Sequence, residues 1–289
     1  MSELSAGPEP GAASHPGAGP RPCVESHSGA SPLPPVCILA GGRGTRLGDR
    51  TRSVPKPLIE VAGEPFLVHQ LRLLAEHGAR EAVICVGHLG EMIEQGIGHE
   101  RFGVRIAYSY DGPGLDGTLG AIRRAAPLLP GRFLVLYGDT YLRLDYRAAA
   151  RAWSDSGLPA LMAVLRNEGR WDTSNALYEQ GRVRVYDKRA PTPGMHWIDY
   201  GLGGLTAAAL ASAPADERDL AGLYSTLASR GDLCGFPASE RFYEIGTPGA
   251  LRETDAFLRD LRSARGPIVP SEHEAASVPP PRRSPRRLP

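Results

Sequence analysis

The chain has 289 residues, of which 42% are hydrophobic and 22% charged, and its formal net charge is +1. This balance fits a globular protein with a sizeable core and gives no overall field directed at nucleic acid or a membrane surface. No apolar run approaches the ~18 residues of a membrane span, and the N-terminus lacks the pattern of a signal peptide, so a cytoplasmic protein is expected.

The two ends differ in composition from the middle of the chain. Residues 1–35 are rich in Pro, Gly and Ser, and residues 266–289 are rich in Pro and end in PPPRRSPRRLP. Neither segment can bury enough apolar surface to offset the entropy of ordering it. We therefore predict two disordered tails around one folded domain at 36–265.

The first half of this domain alternates between strand and helix patterns. The apolar run VCILA predicts a buried strand that leads into a glycine-rich turn. Further segments follow in chain order: helix PFLVHQLRLLAEHG, strand EAVICVG, helix LGEMIEQGIG, strand VRIAYSY, helix LGAIRRAAPLL, strand RFLVLYGDT, helix LDYRAAARAWSDSG and strand PALMAVLR. Such alternation predicts an α/β fold with a Rossmann-like, mostly parallel sheet flanked by helices on both faces.

The second half is richer in strands. NALYEQGRVRVYDKR predicts a hairpin that turns at Gln180 and Gly181, and HWIDYGLGGLT predicts an extended run. A helix at LAGLYSTLASRG, a second hairpin at LCGFPASERFYEIGT and a closing helix at PGALRETDAFLRDLR follow. We expect these strands to add a β-rich sub-lobe over the ligand crevice of the same domain.

The stretch LAGGRGTRLGDRTRSVPKP, residues 39–57, has the composition of an anion-binding loop. Glycines at positive φ let backbone N–H groups approach an anion, and hydroxyl and guanidinium groups suit phosphate oxygens. The residues that offer these groups are Gly41, Gly42, Arg43, Gly44, Thr45 and Arg46. The stretch has no GKS or GKT ending, and GxGxxG fails at Leu47, so neither a P-loop nor a dinucleotide fingerprint is present.

Two further residues point to phosphate chemistry near this loop. Only two of the 33 basic residues are lysines, Lys56 and Lys188, and Lys56 lies between Pro55 and Pro57, which stiffen the chain around it. Asp139 ends the strand RFLVLYG, and the carboxyl ends of parallel strands meet at one edge of a sheet. A carboxylate at that edge can hold Mg²⁺ between phosphate oxygens.

LAGGRGTRLGDRTRSVPKPLIEVAGEPFLVHQL resembles the signature of the sugar-1-phosphate nucleotidyltransferase family, a G-G-x-G-T-R-L segment followed by P-K-P. LDGTLGAIRRA, VLYGDTYL, VYDK and YEIGTPGAL follow in the family's order, so the resemblance covers roughly residues 36–260. Within the family the chain looks most similar to the hexose- and heptose-1-phosphate types. The resemblance implies a nucleotide-diphospho-sugar transferase fold and a reaction of NTP with a sugar 1-phosphate that yields an NDP-sugar and pyrophosphate.

The resemblance also implies roles for single residues. The catalytic residues implied are Arg46, which stabilises the leaving pyrophosphate, Lys56, which contacts the α-phosphate, and Asp139. The implied nucleotide-binding residues are Leu39, Ala40, Gly41, Gly42, Gly44, Thr45, Asp111, Gly117 and Thr118. The implied sugar-phosphate-binding residues are Gly138, Asn175, Asp187, Lys188, Asp199 and Gly201. The implied metal is Mg²⁺, held by Asp139 and Glu244.

Three positions depart from the family pattern. Glu244 replaces an Asp in the late metal-binding element, and Asp199 stands where many relatives have Asn. Leu119 departs from the G-T-G-G or G-T-A-G of the base-recognition turn, which puts the base specificity in doubt. Asp111 either pairs with a guanine N–H edge or caps a turn, and both readings stay open.

Other interpretations remain at this stage. Polar residues of the hairpins, among them Asp172, either contact sugar hydroxyls or satisfy buried backbone groups, while Trp171 and Trp197 are expected in the core or the pocket wall. A cytidylyltransferase for a phosphorylated alcohol or amino-alcohol is one alternative function, and a catalytically silent nucleotide-sugar sensor is another. The expected partners are NTP and a sugar 1-phosphate, without nucleic acid or membrane, and a homo-oligomer is left open.

Overall fold

The computed structural model describes residues 32–42, 44–48, 50–112 and 117–265. The predicted disordered tails lie outside these residues, except for 32–35. Leu33 is buried in the hydrophobic core, and the carbonyl of Pro35 accepts a hydrogen bond from the backbone N–H of Leu134 at 2.9 Å. Packed structure therefore begins slightly before Val36.

Fourteen strands form within the described residues. They are β1 (Val36–Leu39), β2 (Glu60–Val61), β3 (Glu64–Pro65), β4 (Glu81–Val86), β5 (Glu100–Arg101), β6 (Val104–Tyr110), β7 (Arg132–Tyr137), β8 (Thr140–Tyr141), β9 (Ala160–Arg166), β10 (Ala176–Glu179), β11 (Arg182–Tyr186), β12 (Trp197–Thr206), β13 (Leu233–Ala238) and β14 (Tyr243–Glu244). Each strand or helix predicted for the first half of the domain forms at its predicted place.

Eight α-helices accompany the strands in the same residues. They are α1 (Arg50–Ser53), α2 (Phe66–Glu76), α3 (Gly90–Ile97), α4 (Gly117–Ala125), α5 (Tyr146–Ser156), α6 (Ala207–Ala211), α7 (Leu220–Ser229) and α8 (Pro248–Arg265). Short 3-10 turns at Thr45–Leu47 and Lys56–Leu58 shape the loop after β1. Among these described helices, none combines the length and the apolar character that crossing a bilayer requires.

Ten of the strands form one mixed sheet in the order β10-β11-β13-β9-β12-β7-β1-β4-β6-β5. Strands β7, β1, β4 and β6 run parallel, whereas β12 is antiparallel to both β7 and β9. Leu39, the last residue of β1, pairs in register with Cys85 of β4 and Tyr137 of β7. The glycine-rich loop and the G-D-T turn therefore leave the sheet at the same edge, as predicted.

Helices cover both faces of this sheet because its central strands are apolar on both sides. In β1, Val36 and Ile38 belong to one core cluster with α2, α3 and α5, while Cys37 belongs to a second cluster with α4 and α7. Side chains of a strand alternate between the two faces, so this division follows from the sequence VCIL.

The second half of the domain differs from the prediction in its connections. The β10–β11 hairpin is confirmed and turns at Gln180 and Gly181, which both have positive φ. The predicted second hairpin is wrong, because β13 pairs in parallel with β9 inside the main sheet and β14 pairs with β8 in a separate two-stranded sheet. The strands expected in a sub-lobe thus extend the main sheet. Apolar alternation identifies a strand but not its partner, and the buried Leu233 and Cys234 require an interior position.

One tight contact between the sheet and α5 gives a stability prediction. A Cβ added to Gly204 of β12 would lie 2.7 Å from Cζ3 of Trp153. The indole cannot move aside, because it is fully buried and its Nε1–H donates to the carbonyl of Leu158 at 2.9 Å. We expect Gly204→Ala to lower the free energy of unfolding by about 1–3 kcal/mol in a denaturant titration.

Gly194 offers the matched control, because no atom lies within 4 Å of a Cβ added there. Equal unfolding midpoints for Gly204→Ala and Gly194→Ala would contradict this account of the packing.

Candidate active site

A cavity of about 480 Å³ opens at the sheet edge where β1, β4 and β7 end. Its volume lies in the range typical of small-molecule sites, about 300–1,000 Å³. Thirteen of the predicted site residues line it: Leu39, Ala40, Gly41, Gly42, Gly44, Thr45, Arg46, Lys56, Asp111, Gly117, Thr118, Gly138 and Asp139. Segments that are distant in sequence therefore meet around one cleft.

The glycine-rich loop is held in place by its own backbone contacts. Gly44 has a φ of 63°, and its carbonyl accepts a hydrogen bond from Oγ1 of Thr51 at 3.0 Å. Leu47 is buried in a third core cluster that also contains Ile245 and residues of α8. This anchor leaves Thr45 and Arg46 exposed at the cavity wall. Arg43 lies outside the described residues.

Lys56 and Asp139 form the main ion pair of the cleft. Nζ of Lys56 lies 2.5 Å from Oδ2 of Asp139, and Lys56 is only 9% exposed. Oδ1 of the same carboxylate accepts a hydrogen bond from Oγ1 of Thr140 at 3.1 Å. A compact ammonium is the cation that fits here, because a planar guanidinium presents a wider, rigid fork of donors.

Gln70 is a site residue that the sequence analysis missed. Its side chain is buried in α2, and its Nε2 donates to the carbonyls of Tyr137 at 2.9 Å and Thr140 at 2.8 Å. These two carbonyls flank Gly138 and Asp139, so Gln70 fixes the turn that presents the carboxylate. The sequence feature that could have indicated this role is the polar pair His69–Gln70 in an otherwise apolar part of the predicted helix.

Glu244 lies beside Asp139 through strand pairing. It is opposite Thr140 in the β8–β14 ladder, and the N–H of Ile245 donates to the carbonyl of Asp139 at 3.0 Å. Burial raises the pKa of the Glu244 carboxyl, and the charge of Asp139 raises it further, against the opposing effect of Lys56. Asp139 lines the cavity, whereas Glu244 is not among its lining residues. Two neighbouring carboxylates that repel each other are nevertheless a donor set that suits a divalent cation, because the cation removes their repulsion.

Asp111 occupies the far side of the cleft, at the end of β6. A Cβ on Gly41 would lie 2.6 Å from its Oδ2, and one on Gly87 would lie 2.8 Å from the same oxygen. Two glycines therefore make room for this carboxylate at the cavity wall. The position is compatible with both readings of Asp111, a guanine contact and a turn cap.

Leu119 is the residue at which the turn predicted to recognise the base departs from the family pattern. Its side chain is fully buried in the second core cluster and does not line the cavity. Gly117 is required for packing, because its φ is 68° and an added Cβ would lie 2.3 Å from the carbonyl oxygen of Arg218. The hydroxyl of Thr118 donates to Asp219 and accepts from the N–H of Leu220, which ties α4 to the start of α7. Residues 113–116 of this turn are outside the described part.

The predicted sugar-phosphate residues, apart from Gly138, do not line the cavity. These residues are Asn175, Asp187, Lys188, Asp199 and Gly201. They lie in or next to the β10–β11 hairpin and strand β12. Nζ of Lys188 lies 6.0 Å from the ring of Tyr137, which does line the cavity. Lys188 therefore stands near the edge of the cleft, next to the G-D-T turn.

Three of these residues use their polar atoms within the protein. Asp187 accepts hydrogen bonds from the N–H groups of Arg189 and Ala190, and these bonds lower its pKa. Oδ1 of Asn175 accepts from the N–H of Asp199 at 3.0 Å. Oδ1 of Asp199 in turn accepts from the N–H of Gly201 at 3.0 Å. These contacts agree with the alternative interpretation from the sequence, in which polar side chains form hydrogen bonds with backbone groups of the hairpins.

Trp171 is exposed, not in the core. Its side chain is among the most exposed large hydrophobic ones in the described residues, at 42%, and the guanidinium of Arg241 covers one face at 4.2 Å. The neighbouring Asp172 contributes to the raised pKa of Glu244. Trp171 therefore belongs to a loop close to the carboxylates. Trp197 is half-buried against the ring of Tyr178.

Comparison with known proteins agrees with this geometry. Residues 36–173 match the family model described as nucleotidyl transferase. An N-acetylmuramate α-1-phosphate uridylyltransferase from Neisseria meningitidis serogroup B is 44% identical over 114 residues, which are 39% of this chain and 49% of the relative. A UTP–glucose-1-phosphate uridylyltransferase from Synechocystis is 36% identical over 132 residues, which are 42% of this chain and 34% of the relative. These matches support the sugar-1-phosphate nucleotidyltransferase family that the sequence motifs predicted.

The chain spans half or less of the length of those two curated relatives. Among solved structures, a UDP-glucose pyrophosphorylase complexed with UDP-glucose superposes with a TM-score of 0.66 at 14% identity, covering 80% of this chain and all of the other. At this identity the likeness shows the fold, and it confirms the predicted nucleotide-diphospho-sugar transferase type.

The role of Gln70 can be tested with an isosteric change. Gln70→Met keeps the length of the side chain but removes both donors from the G-D-T turn. We expect a loss of about 1–3 kcal/mol in the free energy of unfolding, because the partly buried carbonyls of Tyr137 and Thr140 lose a hydrogen-bond donor. The exposed Gln95 of α3 gives the matched control Gln95→Met. Similar denaturation midpoints for the two variants would show that the hydrogen bonds from Gln70 do not stabilise the G-D-T turn.

Glu244 should make stability depend on pH. Because its pKa is raised in the folded state, ionisation costs the folded protein stability as pH rises through that pKa. Glu244→Gln should therefore be more stable than the wild type at about pH 8, and the difference should vanish at about pH 3.5, below the ordinary glutamate range. Thermal unfolding in metal-free buffer measures both.

The exposed Glu179 of β10 supplies the control variant Glu179→Gln, which should not reproduce the gain at high pH. A Glu244→Gln variant that is less stable than the wild type at about pH 8 would show that ionised Glu244 is favourably paired.

Proposed function

We propose that this protein transfers a nucleotidyl group from an NTP to a sugar 1-phosphate and releases pyrophosphate. The observation that supports this most directly is the pair of the buried Lys56 and the half-buried Asp139, 2.5 Å apart, in a cavity walled by the glycine-rich loop. An ammonium, a carboxylate and a backbone suited to phosphate meet there in one place.

The proposed reaction needs no protein base or covalent nucleophile. A phosphate oxygen of the sugar 1-phosphate, already anionic, attacks the α-phosphorus of the NTP. The bond from the α-phosphorus to its bridging oxygen breaks, and the electron pair leaves with pyrophosphate. Catalysis then consists of alignment and of neutralising charge around the α-phosphorus.

The described side chains divide this task between them. The loop at 41–46 would surround the triphosphate, with Arg46 near the leaving pyrophosphate. The ammonium of Lys56 has three donors, of which one is engaged by Asp139, so two remain for phosphate oxygens. Gln70 keeps Asp139 in place throughout, because its amide holds both sides of the turn.

Asp139 and Glu244 are the residues that would hold Mg²⁺. The ion would supply positive charge to the phosphate oxygens, which is the usual contribution of magnesium in phosphoryl and nucleotidyl transfer. Glu244 is one methylene longer than the Asp of the family pattern, and its place opposite Thr140 brings its carboxylate into the field of Asp139.

The sugar phosphate would bind at the side of the cleft where Lys188 stands over Tyr137. Gly138 lines the cavity on this side, and the turn at Asp199 and Gly201 lies beside Lys188. Because the reaction consumes an NTP and a phosphorylated sugar, the proposal includes a cytoplasmic location.

The structure removes part of the case for a catalytically silent sensor. That alternative depended on two departures from the family pattern, Leu119 and Glu244. Leu119 lies in the core, and Glu244 lies beside Asp139 where a metal-binding carboxylate is needed. The cytidylyltransferase alternative differs from the proposed function only in the substrates used, so a substrate panel is needed to distinguish the two.

The test is a matrix of ATP, GTP, CTP, UTP and dTTP against sugar 1-phosphates, phosphocholine and phosphoethanolamine, with magnesium and a pyrophosphate-release assay. We expect release with at least one sugar 1-phosphate. Asp139→Ala should lower that rate by at least about 100-fold, because the cleft loses a metal ligand and the partner of Lys56.

The exposed Asp155 of α5 provides the control Asp155→Asn, which should keep the wild-type rate. Pyrophosphate release with phosphocholine or phosphoethanolamine only would show that the protein is a cytidylyltransferase of the alternative class. Activity of Asp139→Ala above about a tenth of wild type would show that the metal assignment is wrong.

A further inference from the structure

Both lysines of the chain are paired with an aspartate, but in different surroundings. Lys56 is buried against Asp139, whereas the side chain of Lys188 is 45% exposed. Nζ of Lys188 lies 3.1 Å from Oδ2 of Asp199, whose side chain is only 8% exposed. The second pair therefore joins a solvent-exposed cation to a buried anion.

The carboxylate of Asp199 is immobilised by the protein. Oδ2 accepts a hydrogen bond from the hydroxyl of Tyr186 at 3.0 Å, and Oδ1 accepts from the N–H of Gly201 at 3.0 Å. The backbone N–H of Asp199 donates to Asn175. Gly201 has a φ of 102°, and the pairing of β12 with β9 changes register between Asp199 and Gly203. This irregularity in β12 turns the carboxylate toward Lys188.

These contacts leave the carboxylate little capacity for a sugar hydroxyl. Three donors, from Tyr186, Gly201 and Lys188, converge on its two oxygens, and its side chain is buried. We infer that Asp199 is a positioning residue that holds Lys188 in place for the phosphate of the sugar 1-phosphate, and that it does not itself read the sugar. This inference rests on the proposed function and gives Asp199 a different task from the hydroxyl contact expected for it.

Positioning matters because a lysine side chain has many rotamers. Freezing it when a ligand binds costs conformational entropy, and a partner that already holds the side chain reduces that cost. Lys188 is also near two aromatic rings, with its Nζ 6.0 Å from the ring of Tyr137 and 5.8 Å from that of Tyr186. The ammonium is thus held next to the G-D-T turn before any ligand arrives.

The two phenols beside Asp199 carry no charge that could pair with its carboxylate. Burial first, and the charge of Asp199 second, raises the pKa of both Tyr137 and Tyr186. Among the described residues, Lys188 is the only cation within 4 Å of the Asp199 carboxylate. A neutral amide at this position would keep its size and its acceptor for Gly201 but would lose that attraction.

A double-mutant cycle tests the inference. Asp199→Asn should raise the KM for the sugar 1-phosphate about 3- to 10-fold, with kcat and the KM for NTP changed less than about twofold. Lys188→Ala should raise the same KM about 10-fold or more. In the Lys188→Ala background, Asp199→Asn should have no further effect, because the residue that it positions is gone.

A further increase of about threefold or more in that background would overturn the inference and give Asp199 a direct sugar contact. A parallel rise in the KM for NTP, with a lowered unfolding temperature, would also overturn it and show a merely structural role. Asp155→Asn again provides the control, since it removes an exposed carboxylate of α5.

A second measurement does not depend on activity. Selective ¹³Cε labelling of lysine gives two side-chain signals, because the chain has only Lys56 and Lys188. Asp199→Asn should shift the Lys188 signal and leave that of Lys56 in place, with Lys188→Ala providing the assignment. An unmoved Lys188 signal would refute the pairing. Absence of pyrophosphate release by the wild type would refute the proposed function instead.

Discussion

The ion pair between the buried Lys56 and the half-buried Asp139 is the constraint on which the cleft depends. An unpaired ammonium in this position would be strongly unfavourable, so the lysine turn and the end of β7 must stay together. Gln70 holds the aspartate turn from α2, and Ile245 holds it from the strand that carries Glu244. The loop after β1, the helix α2 and the β8–β14 pair therefore share a single electrostatic centre.

The second lysine uses the same chemistry with the opposite exposure. Lys188 is open to solvent, and its fixed partner is the buried Asp199, whereas Lys56 is itself buried. Because the ammonium of Lys188 is half-exposed, solvent screens its attraction to Asp199, and we infer that the value of the second pair lies in where it keeps the ammonium. The buried Lys56 therefore maintains the cleft, whereas the exposed Lys188 has the proposed role of binding a ligand.

The sequence predicted the cleft better than it predicted the second half of the sheet. Leu39 and Tyr137 could be placed at one edge because parallel strands fix the direction of their ends. The partners of β13 and β14 could not be predicted, because alternation of apolar residues does not specify a neighbouring strand. Gln70 was missed because its importance comes from two backbone carbonyls that only the tertiary fold brings to it, and Leu119 was overvalued because the family pattern does not show which way a side chain points.

The charges around Glu244 suggest why a triphosphate and its cation would enter the proposed site together. Burial first, and then the charge of Asp139, raises the pKa of Glu244 even though Lys56 and Arg46 oppose the shift, so a second negative charge is unfavourable beside Asp139. A bare triphosphate would meet that repulsion, and a bare divalent cation would meet the nearby ammonium. A triphosphate that carries its cation offers positive charge to the carboxylates and phosphate oxygens to Lys56 and Arg46, so each component offsets the cost of the other.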